Sequence, residues 1–157
     1  MLKPIVLILP YPISANRYWA TRVITPRGTN RAQAMTYVTA EAKHFKTQVQ
    51  ILALEAGVRK PLQGRVAIEY TLHPRRPLDW ATRARKDPVG WEDTVMCIDL
   101  DNAQKVLLDA LKGIVIDDDR WVRSIRATRG EPMEQAALVV KVSQLQVDQP
   151  QATLELA

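Results

Sequence analysis

The run "GRVAIEYTLHP", residues 64–74, constrains this chain more than any other. Val66, Ile68, Tyr70 and Leu72 alternate with Arg65, Ala67, Glu69 and Thr71, the period of two expected of a strand buried on one face. Two stretches of helical period accompany it. In "TAEAKHFKTQVQILALEAG", Ala42, Phe45, Val49, Leu52 and Ala56 recur at three- and four-residue steps, with Thr39 placed to cap the start and Gly57 to end the helix. In "DLDNAQKVLLDALKG", Leu100, Ala103, Leu107, Ala110 and Leu111 form a second stripe, between Asp99 as N-cap and Gly113 just past the end.

The remaining segments are read around these three. "LKPIVLILPYP" is apolar enough for a central or well-covered strand, stopped by Pro10 and Pro12, which cannot donate to a ladder. Residues 14–35 are rich in Arg, Asn, Thr, Gly and Pro without periodicity and read as a loop carrying Arg17, Tyr18 and Trp19. Residues 74–98 hold Pro74, Pro77, Pro88, Gly90 and five basic residues. A connection of that length inside a small domain is commonly functional or disordered, and it reads as a basic loop that moves when nothing is bound. After "IVI", the segments "RWVRSIRATRG" and "AALVVKVSQL" read as two further strands, with Trp121 in the core. Arg120, Arg123 and Arg126 step by three, which one face of a regular strand cannot do, so a bulge or a helical start is expected there.

A length of 157 residues suits one domain, taken as 1–145 with 146–157 as a polar, flexible tail. The longest apolar run, Ile5–Leu9, falls far short of the roughly 20 residues a membrane span requires, and no secretory leader is recognisable. Cys97 is the only cysteine, which excludes an intrachain disulfide and a multi-cysteine zinc site. A cytoplasmic location is the expectation. His44 reads as a surface residue.

Charge is informative through its distribution. The net charge is +5, and residues 1–40 contain Lys3, Arg17, Arg22, Arg27 and Arg31 with no acid. A second basic cluster comprises Arg75, Arg76, Arg83, Arg85 and Lys86, whereas Glu92, Asp93, Asp99, Asp101, Asp109, Asp117, Asp118 and Asp119 gather between 92 and 119. Basic segments around an acidic centre suit a metal-dependent enzyme acting on phosphodiesters: carboxylates hold a cation while guanidinium and ammonium groups hold phosphate. Asp99 and Asp101 open a helix, and Lys105 lies four residues beyond Asp101 on a similar side. The "DDD" at 117–119 could meet them if the helix ends near the following strand. An all-oxygen set suits Mg²⁺ or Mn²⁺. The same residues have a plain structural use: Asp99 as a cap, Asp101 beside the positive helix end, and 117–119 as a solvated turn.

"LPYPISANRYW", "YVTAEAKHFKTQV", "DLDNAQKVLLDAL" and "IVIDDDRWV" resemble, in order and separation, the RusA family of Holliday-junction resolvases over about residues 5–143. The resemblance implies an α+β fold: a single small domain with a mixed sheet packed with two main helices. It also implies a homodimer, often prophage-encoded, that cuts four-way DNA junctions by paired symmetric phosphodiester hydrolysis with Mg²⁺. Carried over, the catalytic residues fall on Asp99, Asp101, Lys105 and Asp118, and the metal ligands on Asp99, Asp101 and Asp118 with Asp117 beside it. Arg17, Tyr18, Arg22, Arg75, Arg76, Arg83, Arg85 and Lys86 are the candidate DNA contacts, Tyr18 being equally suited to anchoring its loop. Two departures stand out: residues 74–98 are longer than the short arginine-rich link of the family, and the link from helix to aspartate turn is about two residues shorter. Flaps, forks or other branched phage DNA are alternative substrates, and junction binding without catalysis is the alternative activity.

Overall fold

A computed structural model describes residues 2–148. Four strands form one mixed sheet in the order β1 (Ile5–Pro10), β6 (Ala137–Gln144), β4 (Val66–His73), β5 (Val122–Arg129). β6 runs antiparallel to both β1 and β4, and β4 pairs parallel with β5. A parallel pair needs a long crossover, and residues 74–121 supply it, including α4 (Leu100–Leu111). The sheet and helices form one small α+β domain.

Alternation in β4 places Val66, Ile68, Tyr70 and Leu72 in the core at 2% exposure or less. In register, Leu7, Val140, Tyr70 and Ala127 line one row across the sheet. This face is covered by α2 (Ala40–Glu55), which contributes Ala42, Phe45, Val49 and Ala53, and by α4, which contributes Ala103, Val106, Leu107, Ala110 and Leu111. Ala53 replaces the expected Ala56, which is exposed, and Leu100 is only half-buried while Val106 is fully buried. The next row on the opposite face is Val6, Lys141, Glu69 and Arg126, where Glu69 pairs with Lys141 at 3.5 Å and Arg126 at 3.7 Å.

Four expectations are corrected. The apolar run at the start is an edge strand, β1, with Val6 and Ile8 open to solvent; only its alternate residues Leu7 and Leu9 reach the core. Residues 14–35 do not form a loop. They contain α1 (Ala15–Tyr18), capped by Ser14, then β2 (Trp19–Ile24) and part of β3 (Gln33–Val38), paired as a separate antiparallel hairpin. Residues 74–98 are folded into α3 (Trp80–Lys86) and a 3₁₀ turn at Trp91–Thr94. Trp121 lies in a 3₁₀ turn, Asp119–Trp121, and is half-buried rather than core.

The arginine spacing has the expected cause. Val66 pairs with Val122 and Ala67 with Ser124, so Arg123 is the extra residue of a bulge immediately after the 3₁₀ turn. Of the proposed tail, residues 146–148 carry no regular structure and 149–157 lie outside the described residues. No helix among the described residues is long and apolar enough to cross a membrane.

Candidate active site

The aspartate pair is built from the sheet outward. Tyr70 projects from β4 through the core and donates its hydroxyl to the carbonyl of Leu100 at 2.8 Å, with Gln104 Oε1 at 3.4 Å. Tyr11, just past β1, accepts from the Ile98 amide at 2.8 Å and donates to Cys97 Sγ at 3.7 Å. Two phenols from neighbouring parts of the fold thus fix the backbone on either side of Asp99. Burial pushes both up to about 12, and the Asp101 carboxylate adds to the effect at Tyr70. Both stay protonated at neutral pH and keep donating.

Asp99 occupies the N-cap position of α4, but its side chain makes no capping hydrogen bond. Asp101 and Lys105 are exposed on the first turns. Among the described residues, none of these three has an ion-pair partner within 4 Å, although the spacing allows Asp101 and Lys105 to pair. The two carboxylates therefore stand uncompensated beside the positive helix end.

The other acids of the cluster are divided. Asp109 accepts from the Tyr18 hydroxyl and pairs with Lys46 at 2.9 Å, so it ties α1, α2 and α4 together and belongs to the scaffold. Asp118 caps the 3₁₀ turn by accepting from the Arg120 amide at 3.0 Å and pairs with Lys112 at 3.3 Å. The Arg120 amide foremost, with Lys112 contributing, lowers the pKa of its carboxyl to about 2. Asp117 is exposed, with no side-chain hydrogen bond or ion pair among the described residues.

The two aspartate groups do not meet within one chain. α4 has 12 residues, about 18 Å at 1.5 Å per residue; Asp99 and Asp101 sit at its start, whereas Asp118 is held by Lys112 at its end. Among the described residues no three carboxylate, histidine or cysteine groups converge on a possible cation position. The donor chemistry nevertheless fits a hard divalent ion: Asp99 and Asp101 present charged oxygens to solvent, and Mg²⁺ is commonly held by one or two carboxylates, water and a substrate phosphate.

The proposed DNA contacts fare unequally. Tyr18 is 0% exposed, and burial together with the Asp109 carboxylate raises the pKa of its hydroxyl, so it is placed as an anchor for its segment rather than as an open DNA contact. The Trp19 ring packs against it, tilted by 56° with centroids 4.3 Å apart. Arg17 is exposed but accepted by both oxygens of Glu41 at 2.9 Å. Arg22 lies over Tyr37, 5.4 Å from the ring centroid, on the hairpin. Arg75, Arg76, Arg83, Arg85 and Lys86 all belong to the folded segment that leads into Asp99. Sequence reasoning missed the supporting roles of Tyr11 and Tyr70. Position along a strand told that Tyr70 is buried, but nothing in it told what its hydroxyl reaches.

Comparison with curated proteins finds no match to this chain. A family model, endodeoxyribonuclease RusA, matches residues 10–143, a span that takes in the Tyr11 clamp, the hairpin, both main helices, the aspartate turn and nearly all of β6. The chain therefore belongs to the RusA family of endodeoxyribonucleases, a membership that implies action on Holliday junctions.

Proposed function

We propose that this protein resolves four-way DNA junctions by hydrolysing one phosphodiester in each of two opposed strands, with a divalent cation, Mg²⁺ or Mn²⁺, held at Asp99 and Asp101. The observation that carries the reading is the uncompensated Asp99–Asp101 pair, fixed by two tyrosines at the start of α4. A divalent cation bound there would supply charge neutralisation at the scissile phosphate and a more acidic water. The chain's own residues do the rest. Asp99 and Asp101 hold the site open to a phosphate, and Tyr11 and Tyr70 keep the backbone in place. Lys105, with no ion-pair partner among the described residues, faces the same end of the helix and stabilises charge developing on the phosphate oxygens.

The separation along α4 bears on assembly. Asp117 and Asp118 sit a helix length from Asp99 and Asp101, so a site using both groups takes the turn of one copy and the helix start of another. A two-fold homodimer supplies two such sites for a nearly two-fold substrate. The folded segment 74–98 beside the site makes forks and flaps the competing substrates.

The test is cleavage of a labelled, mobile four-way junction in Mg²⁺ by wild type and Asp101→Asn, with binding followed in Ca²⁺. Paired cuts lost in Asp101→Asn while binding survives support resolution. Binding without cuts by wild type, in both Mg²⁺ and Mn²⁺, refutes it; faster cutting of forks or flaps reassigns the substrate.

A further inference from the structure

The segment between β4 and α4 is a small folded platform, and its apolar residues point outward. α3 contributes nothing to the core. Leu78 is 100% exposed, Val89 93% and Met96 94%. Yet the platform is firmly joined to the body. Arg76 N–H donates to Met133 O and Met133 N–H to Pro74 O, both at 2.8 Å, and Arg129 donates to Val95 O at 2.6 Å; within the platform, Arg83 donates to Thr94 O at 3.2 Å. A fixed element that spends its apolar side chains on solvent marks an interaction surface.

The chemistry of the surface selects the partner. The Arg76 guanidinium lies over the Trp80 ring, 4.5 Å from its centroid, and Trp91 meets Trp80 at 6.0 Å. Arg75, Arg76, Leu78, Trp80 and Glu134 line one open cleft. From 75 to 86 there are five basic residues and one acid, Asp79, which is already paired with Arg83 at 3.0 Å. Glu134 lies 3.9 Å from Arg76 and is largely in solvent, so it is free to swing away when a phosphate approaches. Aromatic and guanidinium faces stack nucleobases whatever their identity, an apolar side chain at a strand junction can wedge an opened base step, and the surrounding cations match a phosphate chain.

We infer that the Arg76–Trp80 cleft, with Leu78 at its lip, takes an unpaired nucleobase at the branch point of the DNA substrate. The inference rests on the nuclease reading and deepens it, because the platform runs directly into the segment that presents Asp99. It would give preference for branched over linear DNA through stacking, which the paired internal steps of a duplex do not offer.

The experiment uses the full chain in Ca²⁺, with 2-aminopurine at the junction centre and, separately, within a linear duplex. Wild type is compared with Trp80→Ala and with Leu78→Ser, the latter a change at a fully exposed position that leaves folding intact. Expected are a change in 2-aminopurine emission at the junction centre only, and a loss of about tenfold in junction affinity for Trp80→Ala. Leu78→Ser should lose junction preference in the same direction, with linear-duplex affinity unchanged for both variants. Unchanged junction-to-duplex ratios in Leu78→Ser and Trp80→Ala, or no emission change on wild-type binding, overturn the inference; a surface for a protein partner would give that result. Cleavage by wild type in Mg²⁺ separates the two readings. Cuts that persist while the variants keep the wild-type ratio sink the cleft alone, whereas junction-selective stacking without cuts sinks the enzyme and leaves the cleft standing.

Discussion

The Tyr70 hydroxyl reaches across the core to the carbonyl of Leu100 at 2.8 Å, so the central part of the sheet is hydrogen-bonded to the first turn of the helix that carries Asp101. This makes Tyr70 a positioning residue for the aspartate pair, with Tyr11 as its counterpart on the Ile98 amide. Tyr70→Phe removes one hydrogen bond and leaves a part-buried carbonyl less satisfied, a cost of about 1 kcal/mol. In Mg²⁺, Tyr70→Phe and Tyr11→Phe should each slow junction cleavage about tenfold while affinity in Ca²⁺ stays within twofold. A matched fall in binding and cleavage would show that the phenols act on the fold as a whole and not on the placement of Asp99 and Asp101.

Stability at alkaline pH follows from the same groups. Tyr11 and Tyr70 are pushed up to about 12 by burial foremost, against about 10 in an unfolded chain. A raised folded value means that the native state holds the proton more tightly. The stabilisation is therefore complete below about pH 10 and is lost as pH rises from 10 through 12. Denaturant midpoints at pH 8, 10 and 11.5 should be flat between the first two and fall at the third, with a smaller fall in Tyr70→Phe. An equal fall in that variant would assign the alkaline loss to other groups.

Tyr18 and Lys46 both serve Asp109, at the meeting point of α1, α2 and α4. Tyr18→Phe leaves the carboxylate with the half-exposed Lys46 alone and should cost about 1 to 3 kcal/mol, or roughly 2 to 4 °C of melting temperature per kcal/mol at this chain length. Junction binding measured well below the melting point should not change. A DNA-binding defect in folded Tyr18→Phe would restore this residue to the nucleic-acid interface.

Gly130 closes β5 against β4. A Cβ at this position would lie 2.5 Å from His73 Cε1 and 2.7 Å from Thr71 Cγ2, while the Gly130 amide donates to Leu72 O at 2.8 Å. The backbone is pinned, so relief requires the His73 ring, held by its 2.9 Å hydrogen bond to Glu131 O, and the Thr71 methyl to move aside. Gly130→Ala is expected to destabilise by about 1 to 3 kcal/mol, read as a lower melting temperature. An unchanged melting temperature would mean that the His73 ring moves aside freely.

What could be read from the sequence was what a buried face imprints on it. β4 and α4 were legible because the core selects every second or every third and fourth residue, and Gly113 stopped the helix with a positive φ of 75°. The β2–β3 hairpin was not, since most of its residues on both faces are exposed or half-exposed and no alternation marks it. α3 was hidden for the same reason, having no buried residue at all. The run Ile5–Leu9 misled in the other direction: it is apolar throughout, yet Val6 and Ile8 lie on the uncovered face. Asp99, Asp101 and Lys105 were singled out by type, spacing and the family resemblance, but the two aspartate groups were expected to meet. The length of α4 separates them.

That separation gives the sharpest prediction about assembly. If Asp99 and Asp101 of one copy act with Asp117 or Asp118 of another, each site in a dimer is shared. Asp101→Asn alone and the double change Asp117→Asn with Asp118→Asn should each be inactive as homodimers. In a heterodimer of the two variants, one site contains both lesions and the other contains neither. Mixing and re-equilibrating the inactive variants should therefore restore nicking of one strand, at up to about half the wild-type rate per dimer, without paired cuts. If each site were built within a single chain, every site in the mixture would carry one lesion and no activity would return. Restored nicking would place the helix start and the turn in one active site across the two-fold axis; continued silence from a mixture shown to contain heterodimers would confine the site to one chain and require the turn to move toward the start of α4.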